Sequence, residues 1–148
     1  MHTKQYLNLS IMSGIHFIAM YFLMYAMVDS ASNIHTNINQ FYMAGLMTAP
    51  MVLLELMFMR SMYQHKMLNA AIATIGIAIF VAFFWSIRTQ AAVGDAQFLK
   101  SMIPHHAGAI LMCEQASLHD AEIHELCRGI IESQQQEIDQ MRSILERL

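Results

Sequence analysis

Residues 7–28, LNLSIMSGIHFIAMYFLMYAMV, contain no charged side chain in 22 positions. Residues 38–59 carry one charge, Glu55, and residues 67–87 carry none. Because about 20 apolar residues in a helix cross the hydrocarbon core of a bilayer, each segment predicts a membrane-spanning helix. Pro50 lies inside the second segment, where the missing backbone donor favours a kink.

The composition agrees with a membrane protein. Of the 148 residues, 56% are hydrophobic and 13% are charged, whereas soluble domains average about 25% charged residues. A net charge of −3 with eight Lys and Arg argues against nucleic-acid binding, and two cysteines are too few for a disulfide scaffold. Fifteen methionines and eight histidines are an unusual supply of metal-binding side chains.

Charge divides the chain near residue 89. Residues 1–88 hold four basic and two acidic side chains, and residues 89–148 hold four basic and nine acidic ones. We therefore predict a three-span transmembrane region over 1–88 and a water-facing domain over 89–148. Lys4 and the basic turn 60–66 share one side of the membrane, while the turn 29–37 has no Lys or Arg. The positive-inside rule then predicts an internal amino terminus and an external carboxy-terminal domain, although Arg88 counts against it.

The water-facing domain has the pattern of a helical hairpin. Apolar residues recur at intervals of three and four over 96–118 and again over 121–147, which is helical periodicity. Asp120 is the expected N-cap of the second helix. Pro104 either kinks the first helix or marks its true start. A turn near residue 120 places His106 opposite Gln134.

Two helices of this length bury little core. Each also carries apolar residues on more than one face. We therefore expect an all-α protein in which a second copy completes a four-helix bundle, most simply as a homodimer.

Two strings resemble a known family. They are FLKSMIPHHAGAILM (residues 98–112) and IIESQQQEIDQM (residues 130–141), and together they resemble domain of unknown function 305 over about residues 94–148. The three spans are similar to the membrane-anchored branch of that family. The resemblance implies a ferritin-like helical fold and copper binding through His and Met. It also implies a bacterial inner (cytoplasmic) membrane protein with a periplasmic or extracellular carboxy-terminal domain, and no established enzymatic reaction.

The residues themselves also favour copper. Met102, His105, His106 and Met112 stand at relative positions 0, 3, 4 and 10, and intervals of three, four and seven residues place side chains together on a helix. Thioethers select Cu(I) and imidazole suits copper, whereas zinc prefers Cys or carboxylate beside His. We therefore predict a Cu(I) site formed by these four side chains.

The second helix adds three candidates. Met141 is a further soft ligand, and Gln134 or Glu137 is placed to hold a histidine ring from outside the metal site. The alternative is that these methionines fill the core and that the histidines lie on a polar helix face. In that case the protein is a structural or interaction subunit of a membrane complex.

Cys113 and Cys127 have three interpretations. In an oxidising compartment they form a disulfide across the hairpin. They are otherwise thiolate ligands for Cu(I) or small buried hydrophobic side chains.

Methionines also line the spans. Met12, His16 and Met20 share a face of the first span, and Met43 and Met47 begin a series in steps of four in the second. One interpretation is a track of soft ligands through the membrane. We favour the other, in which Met replaces Leu toward lipid, because steps of four drift around a helix. His16 and Glu55 fit that explanation less well, because polar groups at membrane depth tend to face partners.

No catalytic motif is present in the sequence. There is no Ser/His/Asp set and no Gly-rich phosphate loop, and the Glu with Glu-x-x-His pattern of di-iron bundles is missing. We therefore predict a copper-binding protein and not an enzyme.

Overall fold

The computed structural model describes residues 2–148, and all of its regular elements over that range are helical. This confirms the predicted all-α class. The five α-helices are α1 (His2–Leu23), α2 (Ile38–Phe58), α3 (Lys66–Thr89), α4 (Asp95–Gln115) and α5 (Ala121–Arg147). Two short 3-10 segments, Met24–Met27 and Ala31–Asn33, lie between α1 and α2.

Three of the helical segments are long and apolar enough to cross a membrane. They are Lys4–Met27, Ile38–Phe58 and Lys66–Thr89, within a few residues of the three predicted spans. Pro50 lies inside α2, and the helix continues on both sides of it.

The chain forms two compact units. The first unit contains residues 2–23 and Asn39–Ala91. In this unit α2 and α3 approach closely at Gly45, where a Cβ atom would collide with the ring of Phe83. That ring packs edge-on against Phe41 and tilted against Tyr42, at centroid distances of 5.7 Å and 5.9 Å. Only glycine fits this approach.

The second unit combines Met24–Ile38 with Ala92–Leu148. Residues 24–38 fall within the predicted transmembrane region 1–88, but in the structure they pack on the hairpin. Arg142 of α5 donates to the side-chain oxygen Oδ1 of Asn33 at 2.6 Å, and the Asn37 side chain donates to the backbone carbonyl oxygen of Lys100 at 3.3 Å. The two segments of this unit are separated in sequence by the second and third candidate spans. Two crossings return the chain to the same side of a membrane, so both segments can lie on one side.

The hairpin of α4 and α5 encloses a small core. Its buried residues are Leu99, Ile103, Ala107, Ile110, Ile138 and Met141. Helix α5 begins as predicted, because the Asp120 carboxylate accepts hydrogen bonds from two backbone amides of the first turn, at 2.8 Å and 3.2 Å. Helix α4 begins at Asp95, so Pro104 lies in its interior and does not start a helix.

A disulfide joins α4 to α5 near the turn. Cys113 and Cys127 are bonded, with their Cα atoms 5.3 Å apart. Of the three interpretations of this pair, the structure therefore contains the disulfide.

Candidate metal site on the hairpin

The two adjacent histidines occupy different environments. His105 is exposed, whereas His106 is buried. Successive residues of an α-helix point about 100° apart, so only one of them can face α5. His106 is the one that does.

Both ring nitrogens of His106 face oxygen acceptors. Nδ1 lies 2.9 Å from the Met102 carbonyl oxygen, and Nε2 lies 2.6 Å from Glu137 Oε2. A backbone carbonyl only accepts hydrogen bonds, so Nδ1 carries a hydrogen and donates it to Met102. The other ring nitrogen, Nε2, contacts the carboxyl group of Glu137, whose side chain is 53% exposed.

The contact between His106 and Glu137 forms one layer of donor side chains, and Met102 and Met141 form a second layer one helical turn away. Met102 lies one turn before His106 on α4, and Met141 lies one turn after Glu137 on α5. Because the helices are antiparallel, these two methionines come to the same level, next to the histidine and carboxylate. Both pack on the same core cluster, Met141 as a buried member and Met102 as a partly buried neighbour.

The other candidate residues lie outside these two layers. Met112 is 54% exposed, two turns beyond His105 on the same face of α4. Gln134 is half-buried and lies one turn before Glu137. The predicted register places His106 opposite Gln134, whereas the structure pairs it with Glu137, three residues further along α5.

Carboxylates and histidines alone do not form a metal centre here. Over residues 4–148, whose side chains the structure describes, no group of three or more His, Cys, Asp or Glu is arranged to hold a metal ion. The disulfide also removes both cysteines as thiolate donors. A metal site on this hairpin therefore depends on thioether sulfur.

The donor set fits a soft ion. The hydrogen bond from Nδ1 to the Met102 carbonyl is the arrangement that usually orients a metal-binding histidine, and it leaves Nε2 as the nitrogen available for a metal. Glu137 occupies that nitrogen, but its half-exposed side chain can turn toward water. One imidazole and two thioethers, from His106, Met102 and Met141, match the preferences of Cu(I).

Sequence reasoning missed two features of this site. The first is the role of the Met102 backbone carbonyl, which holds the His106 ring together with the expected residue Glu137. The spacing of four residues is the available signal, because a histidine can reach the carbonyl four positions earlier on a helix. The second is the contribution of residues 29–37, whose contacts with Arg142 and Lys100 leave no periodic pattern in the sequence.

These observations define a class of protein: an all-helical chain with three helices apolar enough for a membrane and a disulfide-linked hairpin rich in His and Met. Residues 86–145 match the family model described as domain of unknown function (DUF305). An uncharacterized protein of Acanthamoeba polyphaga mimivirus is 38% identical over 120 residues, which cover 80% of this chain and 77% of that protein. The chain belongs to this family. No solved structure matches it.

Proposed function

We propose that this protein is a membrane-anchored copper-binding protein that serves in copper handling, buffering or resistance. The observation that carries the proposal is that Met102 and Met141 pack on one core cluster, one helical turn from the pair of His106 and Glu137, with the His106 ring hydrogen-bonded to a backbone carbonyl. In this account, binding of a Cu(I) ion replaces the contact between Nε2 and Glu137.

Copper is favoured over zinc by the donors themselves. Zinc sites in proteins use Cys, His and carboxylate, and the described side chains of residues 4–148 contain no such group of three or more. Thioethers are soft and select Cu(I). His105 and Met112 are exposed on a neighbouring face of α4, where they are available for entry or exit of the ion.

We propose that the hairpin faces the outside of the cell membrane and the amino terminus faces the inside. The basic residues Lys4, Arg60 and Lys66 support this orientation. The disulfide supports it as well, because such bonds persist in oxidising compartments such as the periplasm or the cell exterior.

We also propose that the hairpin pairs with a second copy to form a ferritin-like four-helix bundle. Each helix carries a stripe of side chains spaced by seven residues. The stripe on α4 contains Phe98, His105 and Met112, and the stripe on α5 contains Ile123, Ile130 and Glu137. The contact between His106 and Glu137 puts these two stripes on the same flank of the hairpin. Residues 24–38 cover another flank, through Arg142 and Gly108.

The flank with the two stripes is strongly apolar. Phe98 is 51% exposed, Met112 54%, Ile123 45% and Leu126 62%. Contiguous apolar surface of this kind marks interaction sites. A second copy held in the same membrane has the same flank at high effective concentration. Light scattering corrected for detergent tests this pairing: a dimer is expected, and a monomer at micromolar concentration contradicts it.

The same flank supports one alternative function. A subunit that docks on a larger membrane complex also needs an exposed apolar surface, and in that case the methionines of the hairpin are core residues only. Metal content separates the two functions, because a docking subunit has no reason to retain copper.

The test is the metal content of the full chain purified in detergent. Loss of one equivalent of copper per chain in the His105→Ala/His106→Ala variant supports the proposal, with Glu132→Ala as a control for an unrelated exposed side chain on the hairpin. Equal copper content in the wild-type chain and in the His105→Ala/His106→Ala variant, after loading with Cu(I) and dialysis, contradicts it.

A further inference from the structure

A histidine lies at the middle of the first candidate span. The span covers Lys4–Met27, and His16 is at its midpoint. The second span covers Ile38–Phe58, and Thr48 is at its midpoint. His16 Nδ1 lies 3.1 Å from Thr48 Oγ1. A polar pair at this depth is costly in a bilayer and indicates a functional role.

The hydrogen bonds determine which ring nitrogen carries the proton. Thr48 donates its only hydroxyl hydrogen to the Ala44 carbonyl oxygen, at 2.8 Å. The Thr48 oxygen can therefore only accept from His16, so Nδ1 carries a hydrogen. In a neutral imidazole this leaves a lone pair on Nε2. A histidine whose other nitrogen is fixed by a hydrogen bond is prepared for metal binding.

Thioethers lie one turn away on both helices. Met12 and Met20 are four residues before and after His16, on the same face of α1. Met51 follows Thr48 by three residues on α2. The nearest acidic residue of α2 is Glu55, about 10 Å from Thr48 along the helix axis. Its carboxylate accepts a hydrogen bond from the Tyr63 hydroxyl at 3.2 Å. The donors around His16 are thus neutral.

A neutral set of one imidazole nitrogen and several thioether sulfurs selects a soft ion of low charge. Thioethers discriminate against zinc and other harder divalent ions. A single positive charge is also the least costly to hold at membrane depth, because the desolvation penalty rises steeply with charge. Cu(I) meets both conditions.

We propose that His16, with Met12, Met20 and Met51, forms a Cu(I) site at the centre of the membrane region, oriented by Thr48. All of these residues belong to the first compact unit, so this site does not depend on the hairpin site. It assigns a role to the one histidine inside a span and to methionines that otherwise only replace leucine.

The experiment uses the full chain in lipid nanodiscs, titrated anaerobically with Cu(I) against a chromophoric chelator. The background is His105→Ala/His106→Ala, which isolates the membrane site. In this background we expect one tightly bound Cu(I) per chain. We expect His16→Leu to abolish it and Met12→Leu/Met20→Leu to weaken it at least about tenfold, which corresponds to about 1.4 kcal/mol. Met57→Leu, which removes a lipid-exposed methionine of α2, should change nothing.

Each outcome decides the proposal. A background variant that binds no Cu(I) overturns it, and so does unchanged binding after either membrane substitution. Leucine is close to methionine in volume and is tolerated in packed helices, so the methionine variant decides alone if His16→Leu fails to fold. Failure of the hairpin site has a different signature, because wild-type and background chains then bind the same amount of Cu(I).

Discussion

Replacement of Glu137 by Ala should tighten copper binding to the hairpin. The Glu137 carboxylate contacts His106 Nε2 at 2.6 Å, and this is the nitrogen that a metal needs. The Met102 carbonyl already orients the ring through Nδ1. Glu137 therefore competes with the metal for Nε2, and its removal leaves that nitrogen available.

The magnitude follows from the exposure of the pair. The Glu137 side chain is 53% exposed, so solvent limits its contact with His106 to about 1 kcal/mol at most. Loss of this competition predicts Cu(I) binding about fivefold tighter in Glu137→Ala. The variant without metal should also be less stable by about the same free energy, because His106 loses its partner.

The assay is a competition titration of Cu(I) on the full chain in detergent. Glu132→Ala is the matched control, because it removes an exposed carboxylate from the same helix and changes the net charge equally. If Glu137 instead holds the ring as an outer partner of a metal ligand, its loss should weaken binding by about 10- to 100-fold. Weaker binding than in the control would refute the competition argument.

Three further predictions concern the fold. Gly45→Ala should destabilise the first unit by about 1–3 kcal/mol through overpacking, measured as thermal unfolding in detergent by circular dichroism. The control is Gly14→Ala, where an added Cβ atom has no neighbour within 4 Å, and it should be neutral or slightly stabilising. Reduction of the bond between Cys113 and Cys127, which spans 14 residues, should cost the hairpin about 3 kcal/mol; unchanged protection of its amides from hydrogen exchange would contradict this. The pKa of His35 is lowered from 6.5, first by burial and then by nearby positive charges, so the unfolded chain binds the proton more readily and stability should fall as the pH drops below about 6.5. This loss should be smaller in His35→Gln when melting temperatures are compared from pH 7.5 to 5.

The elements of the fold were readable from the sequence, because they depend on local signals. Long uncharged runs predict the three apolar helices, and Asp120 marks the start of α5 through its hydrogen bonds to backbone amides. The packing of residues 24–38 on the hairpin was not predicted. It depends on single polar contacts, such as Arg142 with Asn33, that have no periodic signature.

The site was predictable in its residues but not in its arrangement. The spacing of Met102 and His106 identifies candidate donors on α4, yet helical spacing cannot decide which of two adjacent histidines faces α5. That choice depends on how α4 packs on α5 around Ile103 and Ile138, which are both fully buried. The partner of His106 on α5 depends on the same packing, and it is Glu137 instead of Gln134.

We propose that thioether sulfur gives the hairpin a preference for Cu(I). The most direct test is the ratio of Cu(I) to Zn(II) affinity, measured by competition on the full chain carrying His16→Leu, which removes the proposed membrane site, with and without Met102→Leu/Met141→Leu. We expect a strong preference for Cu(I) when both methionines are present and its collapse when both are replaced. Equal or tighter binding of Zn(II) with both methionines present, or a preference that survives their loss, would contradict the proposal.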